Sequence, residues 1–461
     1  MKKFMAMLLA MSMLLSLAAC SSQEAAAPAA AAAGSQETEA KAEVPGEVEV
    51  VTYYCSIGAY LGPLQEEINK WNEGAGKEKG IFIELTSDIN SYDENLDALL
   101  TSGGMAYDIF DAGLDYPWRV DYCYDLNTIE NESLKALVAS YDSYSREGFN
   151  VLHGKEFALP LEVVPVKFAV NKDLFDKNNL ELPKTWDDVV NAAKVITENG
   201  GGEEFGFGWS NWSWSFYRLM MKFSAPGNGR IWWDPTTETY DFTQYKVPME
   251  ALTTMYKNDW MMGADDLGID EIRAQFAAGK VGMFPAPSYD VGVYTTQFPA
   301  QCNWVAIDPP VINEGESYKG IYLERVSASI STSVSPERLD AVAEALAFLN
   351  GDEVNTKMYQ STGMIPYKAS LMEGVTLNVE SPQFEFMADT DDYVPMCLYP
   401  DYEVTIEGED ANEVFNAVMH GEVDFDTAAE DLRSRFQAGY DAGKASGIDL
   451  ERFHYDYSLA K

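Results

Sequence analysis

From Val48 onward the chain alternates short β-branched runs with one-faced helices, and that alternation leaves few folds open. VEVVTYY (48–54) is β-branched and aromatic, as a buried strand is. Pro63 then opens a helix with Leu64, Ile68 and Trp71 on one face, and Pro suits a first helical turn. IFIEL (81–85) reads as a second strand. Residues 93–102 read as a helix with Leu96, Leu99 and Leu100 inward, closed by Gly103-Gly104, and 107–110 as a third short strand. Such a series implies right-handed crossovers and a mostly parallel sheet, so the fold class is α/β. Further on, Thr185 caps a helix with Trp186, Val189, Val190, Ala193 and Ile196 or Thr197 on one side. In SPERLDAVAEALAFLNG, Ser335 is the predicted cap, Pro336 lies in the first turn, and Leu339, Val342, Ala343 and Leu346 face inward.

The first 47 residues are of another kind. Lys2 and Lys3 precede an apolar run over 4–19, and LAAC ends at Cys20. This describes a signal peptide over 1–19 with a cysteine placed for lipid attachment at the new N-terminus. An ordinary secretory signal with a chance cysteine is the competing reading. Residues 20–47 hold one aliphatic residue larger than alanine, Val44, and read as the lipidated cysteine followed by a flexible tether. One acyl chain anchors weakly, so stable retention at the cell membrane calls for more than one.

About 410 residues remain, enough for two or three domains with sizeable cores. A formal charge of −42 argues against nucleic acid and anionic lipid as partners, which need positive charge. Three histidines stand far apart without HExxH, and the four later cysteines (Cys55, Cys123, Cys302, Cys397) form no CxxC, so neither a metal nor a cofactor is expected. GxSxG is absent, and Gly200-Gly201-Gly202 is a helix stop, not a phosphate cradle. Acidic clusters such as ADDLGIDE lack calcium-loop spacing. Carboxylates are numerous enough to leave a pair for glycoside hydrolysis open, though no spacing singles one out.

Four ordered stretches carry a resemblance. In GKEFALPLEVVPVKFAVNKDLFDKNNLELPKTWDDVVNAAKVI, Asn171-Lys172-Asp173 and Pro183-Lys184-Thr185-Trp186 match a pattern of family 1 extracellular solute-binding proteins of ABC importers, the relatives of the maltose-binding protein. Val170 stands where the family usually has tyrosine. TSGGMAYDIFDAG, FAAGKVGMFPAPSYDVG (with Gly282 in place of an alanine) and AEALAFLNGDEVNTKMYQSTGMIPYKASL resemble three more of its segments in order. The resemblance implies a two-lobed periplasmic-binding-protein-like fold, each lobe a mostly parallel sheet flanked by helices, with a ligand cleft between. By analogy the N-terminal lobe takes 48–161 and 303–357, and the C-terminal lobe 162–302 and 358–461. It also implies a monomer that hands its ligand to ABC permease subunits served by a separate ATPase chain.

GFGWSNWSWSF (206–216) sets tryptophans among Ser, Asn and Gly, a composition suited to the C–H faces and hydroxyl rim of a sugar. Asn211, Trp212 and Trp214 are therefore ligand candidates, although alternation would instead make the two rings one strand face of a core. Of the adjacent Trp232 and Trp233, at most one is expected to face the cleft. Tyr289, where relatives carry an aromatic, is a further candidate. Asp111 and Asp115 follow the third strand's carboxyl end, Glu162 sits at the expected first crossing, and Glu324-Arg325 precede a strand. The reading is a lipid-anchored protein that captures an extracellular carbohydrate, an oligosaccharide, without altering it. A cationic ligand such as a polyamine in the same fold, or a secreted glycan-degrading enzyme, are the alternatives.

Overall fold

The computed structural model describes residues 48–88, 91–114, 117–210, 216, 230–316, 320–378, 383–389 and 393–454. Cys20, Asp115, Asn211, Trp212 and Trp214 lie outside them.

The strands expected near the start form one side of the molecule. Their four-stranded sheet runs in the order Ser329–Ile330, Ile109–Phe110, Glu49–Tyr54, Ile81–Thr86. The last three are parallel, and Ser329–Ile330 is antiparallel to its neighbour. Helices Leu61–Glu73 and Tyr92–Ser102 are the crossovers, burying Leu64, Ile68 and Trp71 from the first and Leu96 and Leu100 from the second. Val51, Ile83, Ile109, Leu134 and Leu346 belong to the core beneath this sheet. The late helix spans Leu339–Leu349 and starts later than its sequence suggests: Ser335 caps no helix, and its carbonyl accepts the Arg338 N–H in a turn. Arg338 explains the delay. Its guanidinium forks onto both Asp108 oxygens (2.6 and 3.0 Å) and donates to the Val50 carbonyl (2.7 Å), fixing the helix start to the sheet.

A seven-stranded sheet forms the other side: six strands run in the order Met261–Met262, Phe205–Gly208, Val281–Pro287, Pro160–Asn171, Gly320–Val326, Tyr393–Pro395, and the seventh, Trp304–Ile307, pairs with Pro160–Asn171 off this path. It is mixed. The 12-residue strand Pro160–Asn171 runs antiparallel to Val281–Pro287, to Gly320–Val326 and to Trp304–Ile307, while the remaining pairs are parallel. Trp304–Ile307 and Gly320–Val326 thus pair within this second sheet, and the chain rejoins the first sheet at Ser329. A large core lies here, with Phe168, Trp186, Ile196, Phe415, Leu432 and Phe436 among its members.

Two local features show how sequence sets this packing. Thr185 caps helix Trp186–Asn199 reciprocally: its hydroxyl accepts the Asp188 N–H (3.2 Å), and the Asp188 carboxylate accepts the Thr185 N–H (2.9 Å). Thr185→Ala is expected to cost about 1 kcal/mol in urea unfolding, as loss of such caps does. The glycine at 282 also has a reason. A Cβ there would meet the Gly206 carbonyl at 2.7 Å, because the helix above already presses on Gly206. Among the described residues no disulfide forms; Cys55, Cys123 and Cys397 are buried and Cys302 is half-buried.

Candidate functional site

Parallel neighbours that end together deliver their next residues side by side. Tyr53 and Tyr54 pair with Ile109 and Phe110, so Cys55 and Ser56 emerge next to Asp111. Asp111 Oδ2 accepts the Ser56 backbone N–H (2.7 Å) and hydroxyl (2.8 Å), and Oδ1 accepts the Tyr53 hydroxyl (2.8 Å). Burial, then the Asp111 charge, raises Tyr53 well above its ordinary value, so it stays a donor. The same two causes push the Cys55 thiol up to about 12. It is protonated and unreactive there.

The second component comes from strands that cross between the sheets. Glu162 on Pro160–Asn171 and Arg325 on Gly320–Val326 are direct cross-strand partners, which places their side chains on one face. Segment 365–367 lies on the other side of Glu162: the Val163 N–H donates to the Ile365 carbonyl (3.0 Å) and the Tyr367 N–H to Leu161 (2.9 Å). Glu162 is wholly buried. The Tyr60 hydroxyl donates to its Oε1, and Arg325 Nη1 stands 3.6 Å from its Oε2. That distance is an ionic contact, not a hydrogen bond. Among the described residues, Oε2 accepts no hydrogen bond.

Electrostatics tie the parts together. Burial raises Glu162 above the usual carboxylate range, and Arg325 and Tyr60 counter it only in part. Burial opposes the Arg325 charge too, but Glu162, Tyr60, Asp111 and Tyr289 outweigh it and hold the guanidinium above its ordinary value. Arg325 therefore lies within electrostatic reach of all four. Its side chain keeps 30 % of its surface exposed. Tyr289 follows strand Val281–Pro287, and the Ser288 N–H before it donates to Pro165 on the crossing strand (2.9 Å). Ser288 Oγ is buried without a partner among the described residues. Asp290, after Tyr289, is wholly buried against Arg273 (2.6 Å).

Asp111, Glu162, Tyr289 and Arg325 are thus brought together. Glu324, one residue earlier on the strand, lies on the opposite face. It pairs with Arg146 and accepts the Tyr367 hydroxyl (2.6 Å). Trp232 and Trp233, of which at most one was expected to face the cleft, are both core residues. Trp232 packs on Phe242 (5.6 Å) and donates its indole N–H to Asp401 (2.9 Å). Trp233 packs on Tyr440 (4.6 Å) and donates to the Phe453 carbonyl (2.8 Å). The rings escape opposition because the hairpin Trp233–Asp234/Thr239–Tyr240 is covered by the C-terminal helix Phe425–Ser446 on the Trp233 side and by core on the other. Trp209, at the start of the aromatic run, is also core and stacks on Phe207 (6.4 Å).

Tyr53, Ser56, Tyr60 and Ser288 escaped the sequence reading. Ser56 was in reach of it, since the rule that picked Asp111 (just past a parallel strand's carboxyl end) applies equally to the first strand. The assembled site offers two carboxylates, one cation, several hydroxyls and the rings of Tyr53, Tyr60 and Tyr289. It contains no activated nucleophile among the described residues, and suits a ligand rich in hydroxyls.

Residues 60–355 match the model of a family described as bacterial extracellular solute-binding protein. The diacetylchitobiose binding protein DasA of Streptomyces coelicolor is 24% identical over 306 residues, 64% of this chain and 69% of its own. Maltose-bound MalE3 of T. maritima superposes with a TM-score of 0.67 at 15% identity, covering 85% of this chain and 100% of that one. The ABC substrate-binding protein Lmo0181 of Listeria monocytogenes, in complex with cycloalternan, gives a TM-score of 0.64 at 17% identity, covering 87% and 100%.

Proposed function

The chain belongs to the bacterial extracellular solute-binding proteins, and from that premise we propose that it captures an uncharged oligosaccharide between two lobes and passes it to an ABC permease. The observation that carries the reading is Glu162: a wholly buried carboxylate with one oxygen unbonded among the described residues, held between Tyr60 and Arg325, the cation on which Asp111 and Tyr289 also act. A sugar hydroxyl supplies the donor that Oε2 lacks, Asp111 accepts further hydroxyls, and the Tyr289 ring covers a C–H face. Relatives named for diacetylchitobiose, maltose and cycloalternan support the same ligand class. Arg325 within the cluster disfavours a polyamine, which it would repel.

The lobes in this reading are 48–161 with 303–357 and 162–302 with 358–461, save that Trp304–Ile307 and Gly320–Val326 pair in the second sheet, and the hinge is where residues 160–165, 320–326 and 365–367 lie side by side. Lipid on Cys20 and the tether to residue 47 hold the monomer at the outer face of the membrane. Asp115, Asn211, Trp212 and Trp214 remain candidates for further ligand contacts.

Titration calorimetry of the full chain with maltose, cycloalternan and diacetylchitobiose tests the proposal. At least one is expected to bind with an affinity that barely responds to added salt, because neither partner contributes a net long-range attraction. Asp111→Asn is expected to weaken it about 10- to 100-fold, the range for a hydrogen bond to a charged group. Heat uptake absent for all three and for a wider glycan panel would remove the carbohydrate assignment.

A further inference from the structure

The loop that carries Asp111 is held from two directions. From its own side, the Asp111 N–H donates to the Tyr92 hydroxyl (2.9 Å), that hydroxyl reaches the Asp111 carbonyl (3.0 Å), and Arg119 donates to the Ala112 carbonyl (3.3 Å). Tyr92 and Arg119 are buried with the first sheet, so these bonds persist whatever the other lobe does. The third hold comes from elsewhere. Arg452 Nη2 donates to the carbonyl of Leu114, three residues beyond Asp111, at 3.1 Å.

Arg452 belongs to the short turn Glu451–His454, which is fixed to the second core. The Phe453 carbonyl accepts the Trp233 indole N–H, Leu450 and Phe453 are buried in that core, and His454 meets the Tyr440 hydroxyl at 3.0 Å. Arg452 itself is buried and faces Glu403, whose carboxyl it pulls down against the larger effect of burial. At the same edge Asp449 approaches His153 (3.6 Å), the turn residue of hairpin Val151–Leu152/Lys155–Glu156. Both groups of that pair are exposed, so it adds little.

We propose that Arg452 is a positioning residue whose grip on the Asp111 loop joins the two cores already without ligand and must break when they part, and so sets how long the ligand is retained. This rests on the reading that the ligand sits at the Asp111–Glu162–Arg325 cluster. A contact made in one conformation and not the other shifts the equilibrium by its full differential strength. It acts after encounter, so it slows release and leaves capture unchanged.

The test uses the full chain and the variants Arg452→Ala and Arg452→Lys. Without ligand, amide hydrogen exchange at 111–114 is expected to accelerate in Arg452→Ala, with no change in strand Glu49–Tyr54, and to return towards wild type in Arg452→Lys, which keeps a donor. With maltose, cycloalternan or diacetylchitobiose as probe, the release rate is expected to rise about tenfold in Arg452→Ala at an unaltered association rate, equivalent to about 1.4 kcal/mol. Unchanged exchange in the loop, or an unchanged release rate for a sugar that wild type binds, overturns the proposal. Should wild type bind none of the three, nor any of a wider glycan panel, the carbohydrate reading fails, and the exchange experiment still decides the role of Arg452.

Discussion

Arg325→Ala is expected to abolish measurable ligand capture and to destabilise the protein by about 3 kcal/mol, near the lower end for breaking a buried ion pair. The low end applies because Arg325 is 30 % exposed while Glu162 is fully enclosed. The asymmetry decides the outcome. Removing the cation leaves Glu162 buried with the Tyr60 hydroxyl as its one hydrogen bond among the described residues, so its carboxyl takes up a proton and turns from acceptor into donor. Binding then suffers twice, from the lost guanidinium and from the changed carboxyl. A second substitution separates the effects: Arg325→Ala with Glu162→Gln, which buries no charge, is expected to recover most of the stability and none of the affinity. Urea unfolding and calorimetry on the same samples check this. A double variant as unstable as the single one would mean that the arginine acts through packing and not through its charge.

How much of this site could be read beforehand follows from geometry. Strand 48–54, its crossover helix and strand 81–85 were legible because their apolar residues repeat with the period of the element that buries them. Asp111 was legible because a parallel strand's carboxyl end is where such sheets expose side chains. Glu162 and Arg325 were each picked out, but not as partners: register between strands some 160 residues apart is a tertiary fact that no local pattern encodes. The strand pattern also could not show that Glu324 and Arg325 would serve opposite faces, with Arg146 and Tyr367 waiting on one and Glu162 on the other. The tryptophan pair misled for a related reason. Adjacent residues diverge on an isolated strand, yet both sides of that hairpin are covered, so divergence does not bring exposure. Ser335 offered a sound capping signal that lost to Arg338, whose bonds to Glu49, Val50 and Asp108 tie the start of the helix to the first sheet.

The core around those tryptophans predicts an unusual pH response. Asp401 accepts the Trp232 indole N–H on Oδ2 (2.9 Å) and the Tyr240 hydroxyl on Oδ1 (2.7 Å), yet burial outweighs both bonds and raises it from 3.8 to about 7. Below about 3.8 the group is protonated folded or unfolded, and its contribution to stability is complete. Between 3.8 and about 7 the unfolded chain releases the proton that the folded chain keeps, so stability falls as pH rises. Above about 7 the loss is complete, at most about 4 kcal/mol for a shift of this size. Burial raises Glu162, Asp290 and Glu403 as well, with the same sign. The urea midpoint is therefore expected to be higher at pH 5 than at pH 8. The acidic surface also loses self-repulsion on acidification, so wild type alone does not isolate Asp401. Asp401→Asn does: its amide keeps an acceptor for Trp232, and the Tyr240 hydroxyl turns to accept from the amide N–H. The variant is expected to gain about 2 kcal/mol at pH 8, to gain little at pH 5, and to show a shallower slope between them. A variant with the wild-type slope would mean that Asp401 is already ionised at neutral pH, and that Trp232 and Tyr240 donate to a carboxylate in place of a neutral carboxyl.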